Sequence, residues 1–167
     1  ADLVLNDFVL TAKLDGKINV LSDGSPWRPL IHVKDIGRAV AWACQAKDKG
    51  FNAYNVGSND WTLTIGDLAQ QVSEIMEVPF IISNSQGTDN RSYRIAFDKF
   101  EKAARGWLPE HDLRSAVIEI KDRLHPHFHK YKNFRESNLI RLNILRQLRT
   151  TGKLSESLRL LEKKNGS

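Results

Sequence analysis

One arginine stands out because prolines restrict the backbone near it. Arg28 lies between Pro26 and Pro29 in the stretch DGSPWRPLIHVKD, which begins at Asp23. Its planar guanidinium offers a fork of N–H donors that matches phosphate oxygens, and the prolines limit how far the main chain can relax away from a ligand. A turn explains the Asp-Gly pair and Pro26 without any function. Spacing alone favours a surface arginine without a ligand. Arg28 is kept as a candidate anion ligand, which needs further support.

Two more arginines, Arg91 and Arg94, flank Tyr93 after the polar loop NSQGTDN. The segment RSYRIAF predicts a strand or an extended stretch, in which Arg91 and Tyr93 lie on one side. An arginine beside a tyrosine suits a phosphate next to a base or a sugar, because the cation binds the anion and the ring offers a stacking surface. Taken singly, this pattern is a weak signal.

The histidines give a less favoured alternative. The segment HPHFH places His125, His127 and His129 at every second position, so an extended chain would carry three Zn²⁺-binding imidazoles on one side. Pro126 and the lack of a nearby carboxylate or cysteine argue against a metalloenzyme, and a helix end with a turn is favoured. His32 is predicted to be a hydrogen-bonded structural residue. We therefore predict no metal ligand.

Two patterns that a dehydrogenase needs do not occur in the sequence. It contains neither G-x-x-G-x-x-G nor G-x-G-x-x-G, the glycine-rich turns that cradle a pyrophosphate at a helix N-terminus. No tyrosine has a lysine four residues later; the residues at that distance are Ser58, Phe97 and Arg135. The chain alone is therefore predicted to be inactive, with no catalytic and no cofactor-binding residue.

Length and composition predict one globular domain or one and a half. The chain has 167 residues, of which 41% are hydrophobic and 27% are charged, a balance that permits a core. It has no run of the roughly 20 apolar residues that a membrane-spanning helix needs, and its first residues lack the basic start of a signal peptide. Its single cysteine, Cys44, allows no internal disulfide and is predicted to be buried. These features favour a soluble, cytoplasmic protein with no membrane partner.

Positive charge is concentrated in the last third of the chain. Residues 112–164 hold 13 Lys and Arg against 6 Asp and Glu, whereas the rest holds 12 against 14. Scattered cations on helices are more often a solvated face than a binding surface, which speaks against nucleic acid as a partner. The alternative function is a non-catalytic interaction module whose basic helical tail binds an acidic partner or nucleic acid.

Helix and strand patterns alternate in the first part of the chain. A helix is predicted over residues 3–14, ended by Gly16, and the strand KINVL follows. Asp35 is predicted to be the N-cap of the next helix. The apolar stripe of that helix would comprise Ile36, Val40, Ala43 and Cys44. Further strands are predicted at FNAYNVGS and VPFIIS, so the alternation indicates a mixed α/β fold.

Capping signals place the remaining helices. Thr64, with Asp67 three residues later, predicts the start of a helix. That helix has one apolar face and is predicted to end before Pro79. Asp98 and Asp112 are predicted to cap two more helices. A last long helix is predicted from Asn133 to Gly152, followed by a short leucine-bearing helix.

Five segments, in this order, resemble the C-terminal half of the NAD-dependent epimerase/dehydratase family. That family comprises the extended short-chain dehydrogenase/reductases that act on nucleotide-activated sugars, such as the UDP-glucose 4-epimerases. The segments are LVLNDFV, INVLSDGSPWRPLIHVKDIGRAV, YNVGS, LTIGDLA and RSYRIAFDKFEKAARGW. The resemblance implies a helix-rich α/β fold, the C-terminal part of an extended Rossmann-type enzyme. Residues 1–124 would form its nucleotide-sugar-binding part and residues 125–167 a basic helical extension.

The resemblance also implies roles for three residues. Asn6 would contact the phosphate region of the nucleotide sugar, and Arg28 and Arg91 would hold its diphosphate from two sides. NAD or NADP, together with the catalytic Tyr and Lys, would belong to an N-terminal Rossmann part of the same enzyme, which is thus a partner of this chain; a homodimer is left open. Trp27 and Pro29 replace the residues common around the family's arginine, and ARGW stands where LGW is usual. The subfamily, the sugar and the reaction therefore stay open.

Overall fold

Six α-helices and four short strands alternate through the residues that the computed structural model describes, which are 3–47, 50–83, 91–124 and 133–161. The helices are α1 (Val4–Asp15), α2 (Val33–Gln45), α3 (Ile65–Met76), α4 (Asp98–Ala103), α5 (Leu113–Arg123) and α6 (Arg141–Thr150). The strands are β1 (Ile18–Val20), β2 (Trp27–Pro29), β3 (Thr62–Thr64) and β4 (Phe80–Ile82). The predicted fold class, helix-rich and mixed α/β with short strands, is confirmed.

The core lies between three helices and a parallel strand pair. β1 and β4 run in parallel, with Ile18 opposite Phe80. α1, α3 and α5 contact one another, and α1 and α3 also contact β1. The fully buried side chains of this core include Val9, Val20, Leu68, Val72 and Val117. The apolar periodicity predicted all three helices, and both strands lie within segments predicted from their β-forming residues.

Side-chain caps fix two of the four helix starts that were predicted from a capping residue, those of α3 and α5. Thr64 Oγ1 accepts the N–H of Asp67 at 3.0 Å to begin α3. Asp112 accepts the N–H of Ser115 at 2.7 Å, and Ser115 Oγ accepts the Asp112 N–H in return, which completes a capping box at α5. The predicted cap at Asp98 is wrong, because α4 already includes this residue and its N-cap makes no side-chain hydrogen bond.

Helix α2 packs by a different face from the predicted one. Its buried residues are Asp35 and Ala39. Val40 is 59% exposed, and Ile36 and Cys44 are exposed as well. The predicted stripe and the predicted burial of Cys44 are therefore wrong. Periodicity shows which side of a helix is apolar, but it does not show which side meets the rest of the described chain.

The buried side of α2 meets α4 in a second, smaller apolar cluster. Ala39 packs with Phe100, which is fully buried. Trp42 lies edge-on to Phe100 and to Tyr54, with ring centroids 5.4 and 5.1 Å apart. This cluster joins α2, α4 and the segment that follows residue 50.

Two segments predicted as strands lack regular strand structure. FNAYNVGS is irregular from Phe51 to Val56, and Phe51 is 95% exposed. RSYRIAF, which was predicted as a strand or an extended stretch, is also irregular up to α4. A strand needs a partner that completes its ladder of hydrogen bonds, and within the described ranges neither segment pairs with a strand.

Among the described residues, an ion pair joins the C-terminal part to the core. Arg135 donates from Nε and Nη2 to the two carboxylate oxygens of Asp7 on α1, at 3.0 and 2.7 Å, and the neighbouring Phe134 is buried. The predicted long helix is wrong. A 3-10 turn occupies Phe134–Glu136, and α6 begins only at Arg141. Beyond α6, Leu154 and Leu160 form an antiparallel bridge rather than the predicted short helix.

Among the described residues, every helix is too short or too polar to cross a lipid bilayer.

Candidate functional site

A fixed turn leads the chain into β2. Gly24 has φ of 85°, a left-handed conformation that glycine adopts without strain. A Cβ at Gly24 would lie 3.3 Å from the Cα of Gly66, and the Gly66 N–H donates to the Gly24 carbonyl at 2.9 Å. Asp23 accepts the Ser25 N–H at 3.0 Å, which closes the turn. The turn is thus packed against the start of α3.

β2 carries Arg28 between two neighbours. On one side β3 pairs with β2 and sets Arg28 opposite Leu63. On the other side the Trp27 N–H donates to Ser92 Oγ at 3.1 Å, and the Tyr93 N–H reaches the Trp27 carbonyl at 3.5 Å. The segment that begins at residue 91 therefore lies along the edge of β2 that β3 leaves open.

The side chain of Arg28 contacts the backbone of Arg91, the other candidate arginine. Its Nη1 donates to the carbonyl of Arg91, which is 63 residues further along the chain, and to the carbonyl of Trp27 at 2.9 Å. Its Cζ lies 5.3 Å from the centre of the Tyr93 ring, within cation–π range. Arg28 is half-buried, while Arg91 and Tyr93 are exposed. Two guanidinium-bearing residues distant in sequence thus meet at one surface.

A second arginine–aromatic pair lies beside the first. The Cζ of Arg94 is 4.3 Å from the centre of the Trp27 ring. Trp27 and Arg28 are consecutive residues of a strand, so their side chains point to opposite faces of the sheet. The Trp27–Arg94 pair therefore lies on the face opposite the Arg28–Tyr93 pair.

The third predicted ligand, Asn6, is not joined to these arginines. It lies half-buried in the first turn of α1. Within the described ranges, no hydrogen bond connects Asn6 to Arg28 or to Arg91. The predicted role of Asn6 stays a prediction.

A polar network that the sequence did not reveal surrounds the start of α2. Asp35, only 2% exposed, accepts the backbone N–H groups of Glu110 and His111 at 3.1 and 3.2 Å and the His111 Nδ1–H at 3.0 Å. Burial raises the pKa of the Asp35 carboxyl group, but these donors outweigh burial and hold it below its usual value. The predicted N-cap role of Asp35 is wrong. The cap is His32, whose Nδ1 accepts the N–H of Lys34 at 3.2 Å.

The two histidines of this network stack on each other. The rings of His32 and His111 have centroids 4.1 Å apart and planes only 8° apart. His32 Nε2 also lies 3.4 Å from the carboxylate of Glu119, which accepts from Lys34 Nζ at 2.9 Å. This hydrogen bond from Lys34 is the main reason that the pKa of Glu119 is lowered. His32 is thus a hydrogen-bonded structural residue, as predicted.

The network does not fit a metal ion, although His32, Asp35 and His111 place potential ligand atoms within 4.8 Å of one another. A ring nitrogen binds a metal along its lone pair, which lies in the ring plane. Because the two rings are stacked and almost parallel, those lone pairs do not converge on one point. The Asp35 oxygens already accept three hydrogen bonds. The HPHFH segment, a metal site that the sequence did not favour, lies outside the described residues.

The basic tail offers a separate groove. An open groove of about 320 Å³ is lined by Arg146, Arg149, Thr150, Leu154 and Glu156. Within the described ranges, neither arginine side chain forms an ion pair. Glu156 in the same lining offsets part of the positive charge, so the groove is amphiphilic rather than purely cationic.

The first part of the chain matches a known family. Residues 2–57 match the model of the NAD dependent epimerase/dehydratase family. The resemblance predicted from the sequence is confirmed there, in the part that holds Asn6, Arg28 and the first four residues of YNVGS.

Solved structures of larger enzymes share the fold. MoeE5, in complex with UDP-glucuronic acid and NAD, is 20% identical, with a TM-score of 0.57 over 73% of this chain and 42% of its own. RMD from Pseudomonas aeruginosa, complexed with NADPH, is 18% identical, with a TM-score of 0.56 over 77% and 43%. UDP-glucuronic acid 4-epimerase from Bacillus cereus, in complex with UDP-glucuronic acid and NAD, is 16% identical, with a TM-score of 0.58 over 72% and 39%. This chain therefore spans about two fifths of the length of these structures.

Proposed function

We propose that this chain is the substrate-binding portion of an NAD(P)-dependent nucleotide-sugar epimerase or dehydratase. In this proposal Arg28 and Arg91 hold the diphosphate of a nucleoside diphosphate sugar. The observation that carries it is the contact between the Arg28 guanidinium and the Arg91 backbone, which brings two cationic residues together across 63 residues of sequence. The family match over residues 2–57 supports the same role for Arg28.

The chemistry of the pair suits a diphosphate. Its two negative charges need donors from more than one direction, and guanidinium groups supply paired, charge-assisted hydrogen bonds. Tyr93, stacked near Arg28, adds an exposed aromatic surface for a base or a sugar. Binding energy gained at the diphosphate, away from the reacting carbon, would hold the sugar in place for reaction elsewhere in the enzyme.

The cofactor does not fit the residues of this chain. NAD(P) needs a glycine-rich turn at a helix start, and the reaction in this family needs Tyr-x-x-x-Lys; neither pattern occurs in the sequence. We therefore assign both to a Rossmann part that would work with this chain, and we derive no catalytic step here. Under this proposal residues 1–124 form the substrate-binding part, Asn6 contributes to it, residues 125–167 are an extension, and the chain alone has no turnover.

Ligand titration of the 167-residue chain tests this proposal. UDP and the UDP-, GDP-, CDP- and dTDP-sugars are the probes, with binding followed by calorimetry. Replacing Arg28 with Ala removes charge-assisted hydrogen bonds worth roughly 1.5–3 kcal/mol, so affinity is expected to fall by about tenfold or more. Arg91→Ala should act in the same direction. The matched control is Arg105→Ala, which removes an exposed arginine elsewhere. Binding of none of the probes, or equal binding by Arg28→Ala and the control, would contradict the proposal.

A second candidate function is supported by the groove on the tail. Arg146 and Arg149 line it together with the buried Leu154, a combination that suits an acidic partner with apolar side chains. A charge reversal at both arginines should abolish salt-sensitive binding of an acidic peptide and leave UDP binding unchanged. Tight binding of single-stranded or duplex DNA that weakens steeply with salt would favour nucleic acid instead.

A further inference from the structure

Two arginine–aromatic contacts join β2 to segment 91–94, one on each face. Arg28 meets Tyr93 and the preceding strand residue, Trp27, meets Arg94, so the partners follow one another in the opposite direction along the segment and each pair joins a cation to an aromatic ring. The first pair lies at the candidate diphosphate site. The second lies on the opposite face, because consecutive strand residues point to opposite sides.

The backbone alone holds this segment weakly. It contributes one bond from the Trp27 N–H to a serine hydroxyl at 3.1 Å and a long contact of 3.5 Å from the Tyr93 N–H to the Trp27 carbonyl. A contact of 3.5 Å is at the outer limit of a hydrogen bond. Segment 91–97 has no regular strand structure that would fix its register. The position of Arg91 therefore depends on side-chain contacts: the Arg28 guanidinium holds the Arg91 carbonyl, and a second anchor must fix the segment along β2.

Arg94 is suited to supply that anchor. Its guanidinium lies 4.3 Å from the centre of the Trp27 ring, closer than the 5.3 Å between Arg28 and Tyr93. Trp has the best ring for a cation–π contact, and arginine also stacks flat on it. Within the described ranges, the Arg94 side chain has no ion pair or hydrogen bond that competes with this contact.

We infer that Trp27 and Arg94 form a clasp that positions Arg91 beside Arg28. The clasp fixes the register of the segment along β2 from the face opposite the ligand. Trp27 and Arg94 are positioning residues, since they act on a diphosphate only through Arg91 and Arg28. The ligand in this inference rests on the proposed function, whereas the clasp itself does not.

A double-mutant cycle in the 167-residue chain, with UDP as the probe, tests the positioning. Trp27→Leu and Arg94→Gln should each weaken UDP binding about two- to fivefold, the range for one exposed cation–π contact. The double variant should be no weaker than either single variant, because both changes break the same contact. Trp27→Phe and Arg94→Lys should recover most of the affinity, and Arg105→Gln should have no effect. Loss of affinity in Arg94→Gln but not in Trp27→Leu would overturn the clasp and make Arg94 a direct ligand.

A readout without ligand separates the clasp from the proposed function. In NMR spectra of the free chain, the side-chain protons of Arg94 should be shifted upfield by the indole ring, and Trp27→Leu should remove the shift. Amide exchange of residues 91–94 should speed up in Trp27→Leu and Arg94→Gln and stay unchanged in Arg105→Gln. Unchanged shifts and exchange would overturn the clasp even if UDP binds. A clasp confirmed in this way, in a chain that binds none of the probes, would overturn the proposed function alone.

Discussion

Replacement of Asp35 should destabilise the fold more than replacement of any exposed carboxylate does. Its side chain is 2% exposed and accepts three hydrogen bonds, two of them from the backbone N–H groups of Glu110 and His111. Asp35→Ala leaves both part-buried N–H groups without their acceptor, at about 1 kcal/mol or more each, so the free energy of unfolding should fall by about 2–3 kcal/mol. Asp35→Asn keeps one acceptor oxygen but turns an amide N–H towards another donor, and should cost about 1–2 kcal/mol.

Urea unfolding followed by tryptophan fluorescence measures these differences, with linear extrapolation to zero denaturant. Asp122→Asn, a change at an exposed residue of α5, is the matched control and should lie within about 0.5 kcal/mol of wild type. The expected order of stability is wild type and control, then Asp35→Asn, then Asp35→Ala. If Asp35→Ala were as stable as the control, the hydrogen-bond reasoning for this network would be refuted.

The same carboxylate gives stability a defined dependence on pH. The pKa of Asp35 in the folded chain lies below its ordinary value of 3.8, because the donors from Glu110 and His111 outweigh burial. A depressed folded pKa contributes stability that is fully present above the unfolded value, and that stability is lost as pH falls through the folded value. Between pH 6 and roughly pH 3, wild type should therefore lose more stability than Asp35→Asn. Equal losses in the two proteins would show that Asp35 is not the group responsible.

Two further predictions concern packing and the tail. A Cβ at Gly57 would lie 2.5 Å from the buried ring of Phe97, so Gly57→Ala should lower the melting temperature and cost about 1–3 kcal/mol. Gly37→Ala, inside α2 with open space around it, should instead raise stability by up to about 1 kcal/mol, and a fall in both variants would contradict the reasoning. Arg135→Lys cannot donate to both oxygens of Asp7 as arginine does, so limited proteolysis should cut the tail faster than in wild type. An unchanged cleavage rate would show that another contact holds the tail.

The helices of the core could be predicted because local signals and packing agree. In α3 the Thr64 cap and the apolar positions point to the same boundaries and the same buried face, as the structure shows. For α2 they did not agree, since its apolar side is exposed and its buried side begins with an aspartate. The acceptor role of Asp35 depends on His111, 76 residues away, and no local pattern reports such a pairing.

The tail helix was overpredicted for a local reason. Asn143 donates from its side chain to the carbonyls of Arg135 and Ser137, at 2.8 and 3.1 Å, and Ser137 Oγ donates to the Phe134 carbonyl. Such side-chain bonds compete with the helical pattern of the backbone. The helix therefore starts only at Arg141, although the apolar spacing extends further back.

The candidate site was predicted in part from the sequence. Arg28 stood out because of its prolines and Arg91 because of its tyrosine, the family resemblance gave both a role at a diphosphate, and in the structure the Arg28 side chain donates to the Arg91 carbonyl. The pairing of Trp27 with Arg94 was missed, because it depends on how segment 91–94 aligns with β2. That alignment arises from tertiary contacts and has no counterpart in the spacing of residues.

The parallel pairing of β1 with β4 has a consequence for folding. Ile18 lies in register with Phe80 and its N–H donates to the Pro79 carbonyl at 2.9 Å, and β2, α2, β3 and α3 all lie between these partners in sequence. Closing so long a loop is entropically costly, and contacts of high sequence separation slow folding. During synthesis β1 must wait unpaired until residues 80–82 leave the ribosome, so this strand is expected to acquire protection only after α3 and β4 have been made.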